Sequence, residues 1–359
     1  MRELYIGVMS GTSLDGIDVA LVALDGSSCE LISSFEYEFD SKIKKMIEGY
    51  IASNSLSFDE IGELDIRLGL MYAKAINEFI KRFHLNAEEI RAIGLHGQTL
   101  WHNPDGEYPF SIQLGSGSVV SCECGIKVAC DFRSRDIANG GDGAPLAPAF
   151  HRFLLGGDAN IAVVNIGGIS NISYLGEPTI GYDIGVGNLL MDSWIQKHKS
   201  LPYDRDGVWA KSGKVDYKLL DILMSDEYLS RDYPKSTGKE RYNLRYIEDA
   251  LVTLDRELSL EDVHRTLLEF TALSISNDVL KFNPDILLLC GGGANNPLLV
   301  ERVSTLMPNI AISTMRDSDY IEAMMMGWLA YNRVHSIPTK LSSVTGARVD
   351  SVLGALYER

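Results

Sequence analysis

The sequence predicts an α/β protein of two related domains, and three observations carry that prediction. Short apolar runs of strand length alternate with longer runs of helical spacing. A strand, polar turn, strand unit at residues 4–22 is echoed at 161–175. Glycine-rich polar stretches follow several of the strand ends.

Taken in order, Leu4 to Met9 reads as a buried strand and Ile17 to Leu24 as a second, so "GVMSGTSLDGID" between them forms a hairpin with a polar tip. A P-loop is disfavoured there, because no lysine is present and the segment that follows is β-like. Ile61 to Phe83 places Ile61, Leu64, Leu68, Met71, Ala75, Ile76 and Phe79 near helical spacing and reads as an amphipathic helix. Ile90 to Leu95 and Ile126 to Ala129 read as strands, the second leading into a long irregular loop over 131–148 that is rich in glycine and holds two prolines. The domain boundary is expected just after it, giving domains at 1–150 and 151–359.

In the second half, "NIAVVNIGGISNISYL" reads as strand, Gly-Gly turn, strand. Helices over Glu261 to Lys281 and Pro297 to Met307 flank a strand at Ile286 to Cys290. Asn296 has the chemistry of an N-cap and Pro297 that of a first helical residue. In "DSDYIEAMMMGWLAYNRV", Asp319 reads as an N-cap with Glu322 three residues on, a capping-box pattern.

Hydrophobic residues at 45% and charged residues at 23% are those of a folded globular chain, and a formal net charge of −16 opposes binding to a nucleic-acid backbone. An acidic surface does not exclude phosphorylated ligands, because backbone N–H groups and a bound cation supply local positive potential. No apolar run approaches a membrane span, and the N-terminus lacks the apolar core of a secretory signal. The five cysteines follow no zinc or redox spacing, and the cluster of Cys122, Cys124 and Cys130 suits small buried residues first and a metal site second. Reduced thiols and a cytoplasmic location are expected, with no membrane partner.

Several groups carry potential chemistry. Gly11, Thr12, Ser13, Leu14, Asp15, Gly16, Ile17 and Asp18 form a turn able to aim backbone N–H groups at an anion, with Asp15 and Asp18 acting through Mg²⁺ and its waters; each also suits a turn residue capping its own backbone. Gly167 and Gly168 offer a second cradle. Gly291, Gly292 and Gly293, between a buried strand and a helix start, allow close approach of a base or phosphate, and equally a tight strand-to-helix turn. Asp183 is expected just after a strand, in a glycine-rich turn, as a general base or as a turn cap. Asp192 reads as an exposed helix residue. His96 suits a polar ligand contact or a satisfied loop histidine, and Arg133 a carboxylate clamp or an ion pair with Asp131 or Asp136.

The segments "GVMSGTSLDGIDVALV", "GLHGQTLWH", "DFRSRDIANGGDGAPLAP", "NIGGISNI", "GYDIGVGNLLMD", "CGGGANN" and "EAMMMGWLA" appear in order across nearly the whole chain. In this they resemble the anhydro-N-acetylmuramic acid kinases. The resemblance implies the two-domain actin-like ATPase and sugar-kinase fold, duplicated RNase H-like domains with an ATP cleft between them. It implies ATP and Mg²⁺ as cofactors, a small amino-sugar substrate and a homodimer. The implied reaction opens the 1,6-anhydro ring with water and phosphorylates O6 in cell-wall recycling. By position, Asp183 matches the family's base, Gly11 to Asp18 its phosphate loop, and Gly291, Gly292 and Gly293 its nucleotide side. Gln98, Arg133 and Glu322 fall in its sugar-facing segments. The turn that in the family often reads D-T-G-P-G-N carries Ile184 and Val186 here in place of Thr and Pro. The rival readings are a kinase or phosphohydrolase of the same superfamily with another substrate, and an ATP-switched actin-like binding protein.

Overall fold

The structure is a computed structural model that describes residues 2–11, 14, 16–53, 55–104, 106–156, 160–315 and 318–359. The chain divides into two compact units, one made of Met1–Leu155 with Tyr320–Arg359 and the other of Gly156–Asp319. The α/β class follows the sequence reading.

The first unit is built on β1 (Glu3–Ser10), β2 (Gly16–Leu24), β3 (Cys29–Glu38), β4 (Ile90–Leu95), a separate ribbon of β5 (Gln98–Asn103) with β6 (Phe110–Leu114), and β7 (Val128–Cys130). In the main sheet β2 runs antiparallel to both β1 and β3, while β1, β4 and β7 run parallel to one another. The C-terminal strand Ala355–Tyr357 adds an antiparallel edge on β7. Alternation along β1 decides the layers. Ile6 and Val8 join Leu64, Leu68, Tyr72, Ile76 and Phe79 of the helix Phe58–Arg82 in one core. That helix starts in a complete capping box between Ser57 and Glu60.

The opposite face of β1 is covered by the helix Ile321–Val334. A Cβ on Gly7 would stand 1.7 Å from the Ala323 carbonyl oxygen, and one on Gly94 1.9 Å from that of Met326, so the two backbones meet where only glycine fits. This corrects the expected second domain of 151–359, since residues 320–359 return to the first unit. The short helix Ser342–Thr345 belongs there too, with Thr345 Oγ1 donating to Asp136 Oδ1 at 2.9 Å. The expected Asp319 cap is also corrected. A turn of 3₁₀ helix at Ser318–Tyr320 precedes the helix, Tyr320 is its N-cap, and no side-chain cap forms. The expected loop over 131–148 is broken by the helix Ser134–Ala138, and Pro148 already lies in the helix Ala147–Leu155.

The second unit carries β8 (Ile161–Ile166), β9 (Ile169–Tyr174), β10 (Ile180–Val186), β11 (Ile286–Cys290) and β12 (Ala311–Thr314), in the order β10-β9-β8-β11-β12. Three strands form an antiparallel meander and two more run parallel beyond β8. This is the arrangement of β3-β2-β1-β4-β7, so the echo between residues 4–22 and 161–175 extends to whole sheets. Val164, Ile166, Ile172, Ile184 and Val186 pack with Leu267, Phe270 and Ile275 of the helix Leu260–Leu280. Among the described residues no helix is long and apolar enough to cross a membrane.

Candidate functional site

In the second unit, the ends of β8, β10 and β11 gather the glycine turns. Gly167 and Gly168 close the β8–β9 hairpin, and their carbonyls accept from the backbone N–H groups of Gly187, Asn188 and Leu189 at 2.8–3.2 Å. This fixes the start of the helix Leu189–Lys199 against the hairpin. Asn188 Nδ2 donates to the Ile166 carbonyl at 3.2 Å, and Thr271 Oγ1 to the Gly187 carbonyl at 2.8 Å. After β11, Gly291 has φ +76°, a 3₁₀ turn covers Gly292–Asn295, and Asn296 caps the helix Pro297–Leu306 by accepting from the N–H groups of Leu298 and Leu299.

The glycines differ in what demands them. A Cβ on Gly293 would stand 2.3 Å from Ile166 Cγ2, one on Gly187 2.2 Å from the Gly167 carbonyl oxygen, and one on Gly291 2.1 Å from Asn165 Oδ1, so packing forbids side chains there. Gly168 and Gly292 are exposed, and the nearest atoms to a Cβ would be at 3.7 and 3.8 Å. The fold itself would accept alanine at both. Bare backbone facing solvent beside a helix start fits an approaching phosphate or flat base.

Asp183 sits within β10, not after it as expected. The ladder with β9 shifts between Asp183 and Gly185: Asp183 pairs with Asn171 and Gly185 with Ser170, leaving Ile184 as the extra residue of a bulge. Gly185 supports the bulge at φ +151°, while the side chains of Ile184 and Val186 are fully buried in the core. The replaced Thr and Pro positions therefore carry packing here. Asp183 is half-buried, with Oδ2 accepting from Thr237 N–H at 3.1 Å and its backbone carbonyl accepting from Tyr228 O–H at 2.7 Å. Burial pushes its carboxyl up to about 6; Glu240 adds to the rise, while the Thr237 N–H and Lys235 act against it. Sequence reading passed over Tyr228, Lys235 and Thr237, since a polar stretch such as "YPKSTGKE" signals a loop and not the strand it will contact.

Asp192, expected to be exposed, is half-buried in the first turn of the helix Leu189–Lys199, and burial with the nearby Asp204 charge pushes it up to about 7. Asp204 is held by the N–H groups of Trp209 and Ala210 and by His264 Nε2, all at 2.9–3.1 Å.

In the first unit the polar candidates are already engaged with one another. Ser10, at the end of β1, donates to Gln98 Oε1 at 2.9 Å and lies 2.6 Å from Tyr72 Oη. Gln98 is buried, as is His96. Arg133 donates from Nη1 to the Gly143 carbonyl at 2.7 Å and from Nη2 to His96 Nε2 at 2.8 Å. A guanidinium can only donate, which assigns the imidazole proton to Nδ1, 2.7 Å from the Gly97 carbonyl oxygen it serves. Burial, with the Arg133 charge, holds His96 down to about 3, so it is neutral at physiological pH. Burial likewise lowers Arg133 to about 10 against the pull of Glu322 and Asp136. Neither ion pair considered for Arg133 forms as a hydrogen bond: Asp136 accepts from Gly143 N–H and Thr345, and Asp131 from Ser134. Glu322 is exposed, yet desolvation by neighbouring protein outweighs Arg133 and raises its carboxyl.

Of the predicted anion turn, Thr12, Ser13 and Asp15 lie outside the described residues. Leu14 and Ile17 turn their side chains into the core, so any ligand contact from them is a backbone one. Gly11 accepts from Leu14 N–H at 3.3 Å, Gly16 opens β2, and Asp18 stands half-buried opposite Met9. Among the described residues no group of three or more His, Cys, Asp or Glu is placed to hold a metal.

The family model described as Anhydro-N-acetylmuramic acid kinase matches residues 3–359. A protein of that name from Sulfurovum sp. (strain NBC37-1) is 52% identical over 357 residues, covering 99% of each chain. Its namesake from Sulfurimonas denitrificans is 46% identical over 369 residues, covering 100% of each.

Proposed function

The chain belongs to the anhydro-N-acetylmuramic acid kinase family, and on that premise we propose that it opens the 1,6-anhydro ring of anhydro-N-acetylmuramic acid with water and passes the ATP γ-phosphoryl to O6. The product is N-acetylmuramic acid 6-phosphate, formed in peptidoglycan recycling. The observation that carries the reading is Asp183: a half-buried carboxylate on a strand bulge, raised toward neutrality and held by one backbone N–H, on the strand that pairs with the β8–β9 glycine hairpin.

Asp183 takes a proton from water as the water oxygen bonds to the anomeric carbon. The bond from that carbon to O6 breaks, and O6 bonds to the γ-phosphorus as ADP leaves. A general base of this kind contributes roughly 10² to 10⁴ in rate. Most of the remainder comes from positioning and from charge stabilisation, for which open backbone at Gly168 and Gly292 is suited. Mg²⁺, which needs only one or two carboxylates because it keeps several waters, would be held through Asp18 and Asp15 and would neutralise phosphate charge. Arg133, kept cationic and aimed by His96 and the Gly143 carbonyl, and Glu322 beside it are suited to an amino sugar bearing a carboxylate and hydroxyls. Gln98 completes that set. The reading includes a cytoplasmic homodimer, tested by the mass of the protein in solution.

The direct test is ADP release with a panel of sugars. Release dependent on anhydro-N-acetylmuramic acid, and not on glucose or N-acetylglucosamine, supports the reading. Release with another sugar favours the superfamily rival, and ATP-dependent sedimentation without turnover favours the binding-protein rival.

A further inference from the structure

The segment between the helices Tyr217–Met224 and Leu244–Leu254 buries a lysine that the proposed reaction does not use. The Lys235 side chain is 3% exposed. Its Nζ lies 4.9 Å from the ring centre of Tyr228 and 5.5 Å from that of Tyr182. The nearest anion is Asp278 Oδ2 at 3.6 Å, also on a side chain 3% exposed, and Nζ makes no hydrogen bond. Asp278 is already occupied, accepting from Tyr182 O–H at 2.8 Å and from Lys281 Nζ at 2.5 Å.

An ammonium taken out of water with so few partners is unfavourable, so an apolar side chain would serve packing better. What the position does carry is a connection to Asp183. The Lys235 carbonyl accepts from Asp183 N–H at 3.2 Å, and two residues on, Thr237 N–H reaches Asp183 Oδ2 at 3.1 Å. Tyr228, whose ring the ammonium faces, donates its hydroxyl to the Asp183 carbonyl. The groups facing Lys235 are thus Tyr182 on β10, Asp278 and Lys281 at the end of the helix Leu260–Leu280, and Tyr228 and Asp232 in its own segment. Those acting on Asp183 are Thr237, Glu240 and Lys235 itself.

We propose that Lys235 is a positioning residue for Asp183: its sealed ammonium pins residues 235–237 along β10 so that Thr237 N–H meets the carboxylate, and its positive charge favours the carboxylate form. The proposal rests on Asp183 being the base. A cation favours the ionised acid, so removing it raises the Asp183 pKa and moves the acid limb of activity toward higher pH.

The test compares the full-length protein with Lys235→Met, Lys235→Arg and Lys235→Gln. Carboxyl ¹³C NMR titrates Asp183, its signal assigned by its loss in Asp183→Asn, and pH profiles of kcat/KM are recorded alongside. Expected is an upward shift of roughly half a unit to one unit in both readouts for Lys235→Met, with the original values restored in Lys235→Arg. If Lys235→Met does not fold, Lys235→Gln, which keeps a polar head group without the charge, must show the same shift. An unmoved ¹³C titration in a folded, uncharged variant overturns the inference and marks Lys235 as packing alone. A shifted ¹³C titration with an unmoved rate limb leaves the coupling standing and removes Asp183 as the base.

Discussion

The two units are built on the same five-strand arrangement and use its leading hairpin differently. In the second unit the β8–β9 turn is two glycines whose carbonyls are consumed by the start of the following helix, leaving exposed backbone and one half-buried carboxylate. In the first unit the polar groups behind the β1–β2 hairpin are locked among themselves: Ser10 to Gln98, and Arg133 to His96 and Gly143. The contrast suggests a division of labour, with a titrating group on one sheet and an oriented, fixed-charge surface on the other. A duplicated scaffold can specialise this way because the ends of its strands are set by the sheet while the residues beyond them are free to differ.

The most severe break in the contrast is Asp183→Asn. Turnover falls by at least about a hundredfold while ATP affinity is retained, read by single-turnover kinetics and calorimetry. Because the folded pKa is raised from 3.8 to about 6, the proton is favoured in the native state, and stability is lost as pH rises through that window, the loss being complete above pH 6. Asp183→Asn therefore melts no lower than the parent at pH 8.

Within the second unit, Gly293→Ala drives a Cβ into Ile166 and costs about 1–3 kcal/mol, seen in the denaturation midpoint. Gly168→Ala has room, keeps the midpoint, and weakens ATP by about tenfold, roughly 1.4 kcal/mol. Equal effects at the two positions would deny that Gly168 faces a ligand. In the first unit, Arg133→Lys cannot reach His96 and the Gly143 carbonyl together, so KM for the sugar rises about tenfold (~1.4 kcal/mol) while KM for ATP stays unchanged. A change in the ATP constant instead would erase the division between the units.

The smallest effect is in the pH profile. The acid limb of kcat/KM falls near pH 6 as Asp183 takes up its proton, and His96, held down to about 3, adds no limb between pH 5 and 8. Burial and the Asp204 charge push Asp192 up to about 7, and Asp192→Asn leaves the limb where it is if Asp183 is its source.

Legibility in the sequence followed the range of the interactions. The strands at Ile90–Leu95 and Ile286–Cys290 and the Asn296 cap could be read because apolar runs and caps are local. The return of residues 320–359 to the first unit could not, because Gly7 and Gly94 choose the helix Ile321–Val334 through backbone contact across hundreds of residues. Asp183 was legible as an acid near a glycine turn. Its placement on a bulge, and the support from Tyr228, Lys235 and Thr237, depend on a segment about fifty residues away that in sequence is only a polar loop.

The measurement that bears most directly on the proposed reaction is mass spectrometry of the sugar after incubation with ATP, Mg²⁺ and anhydro-N-acetylmuramic acid in ¹⁸O-water. A 6-phosphosugar carrying one ¹⁸O from solvent is the predicted result, since ring opening by water and phosphorylation of O6 occur together. Unchanged sugar, or ATP consumed with no phosphosugar formed, would contradict it.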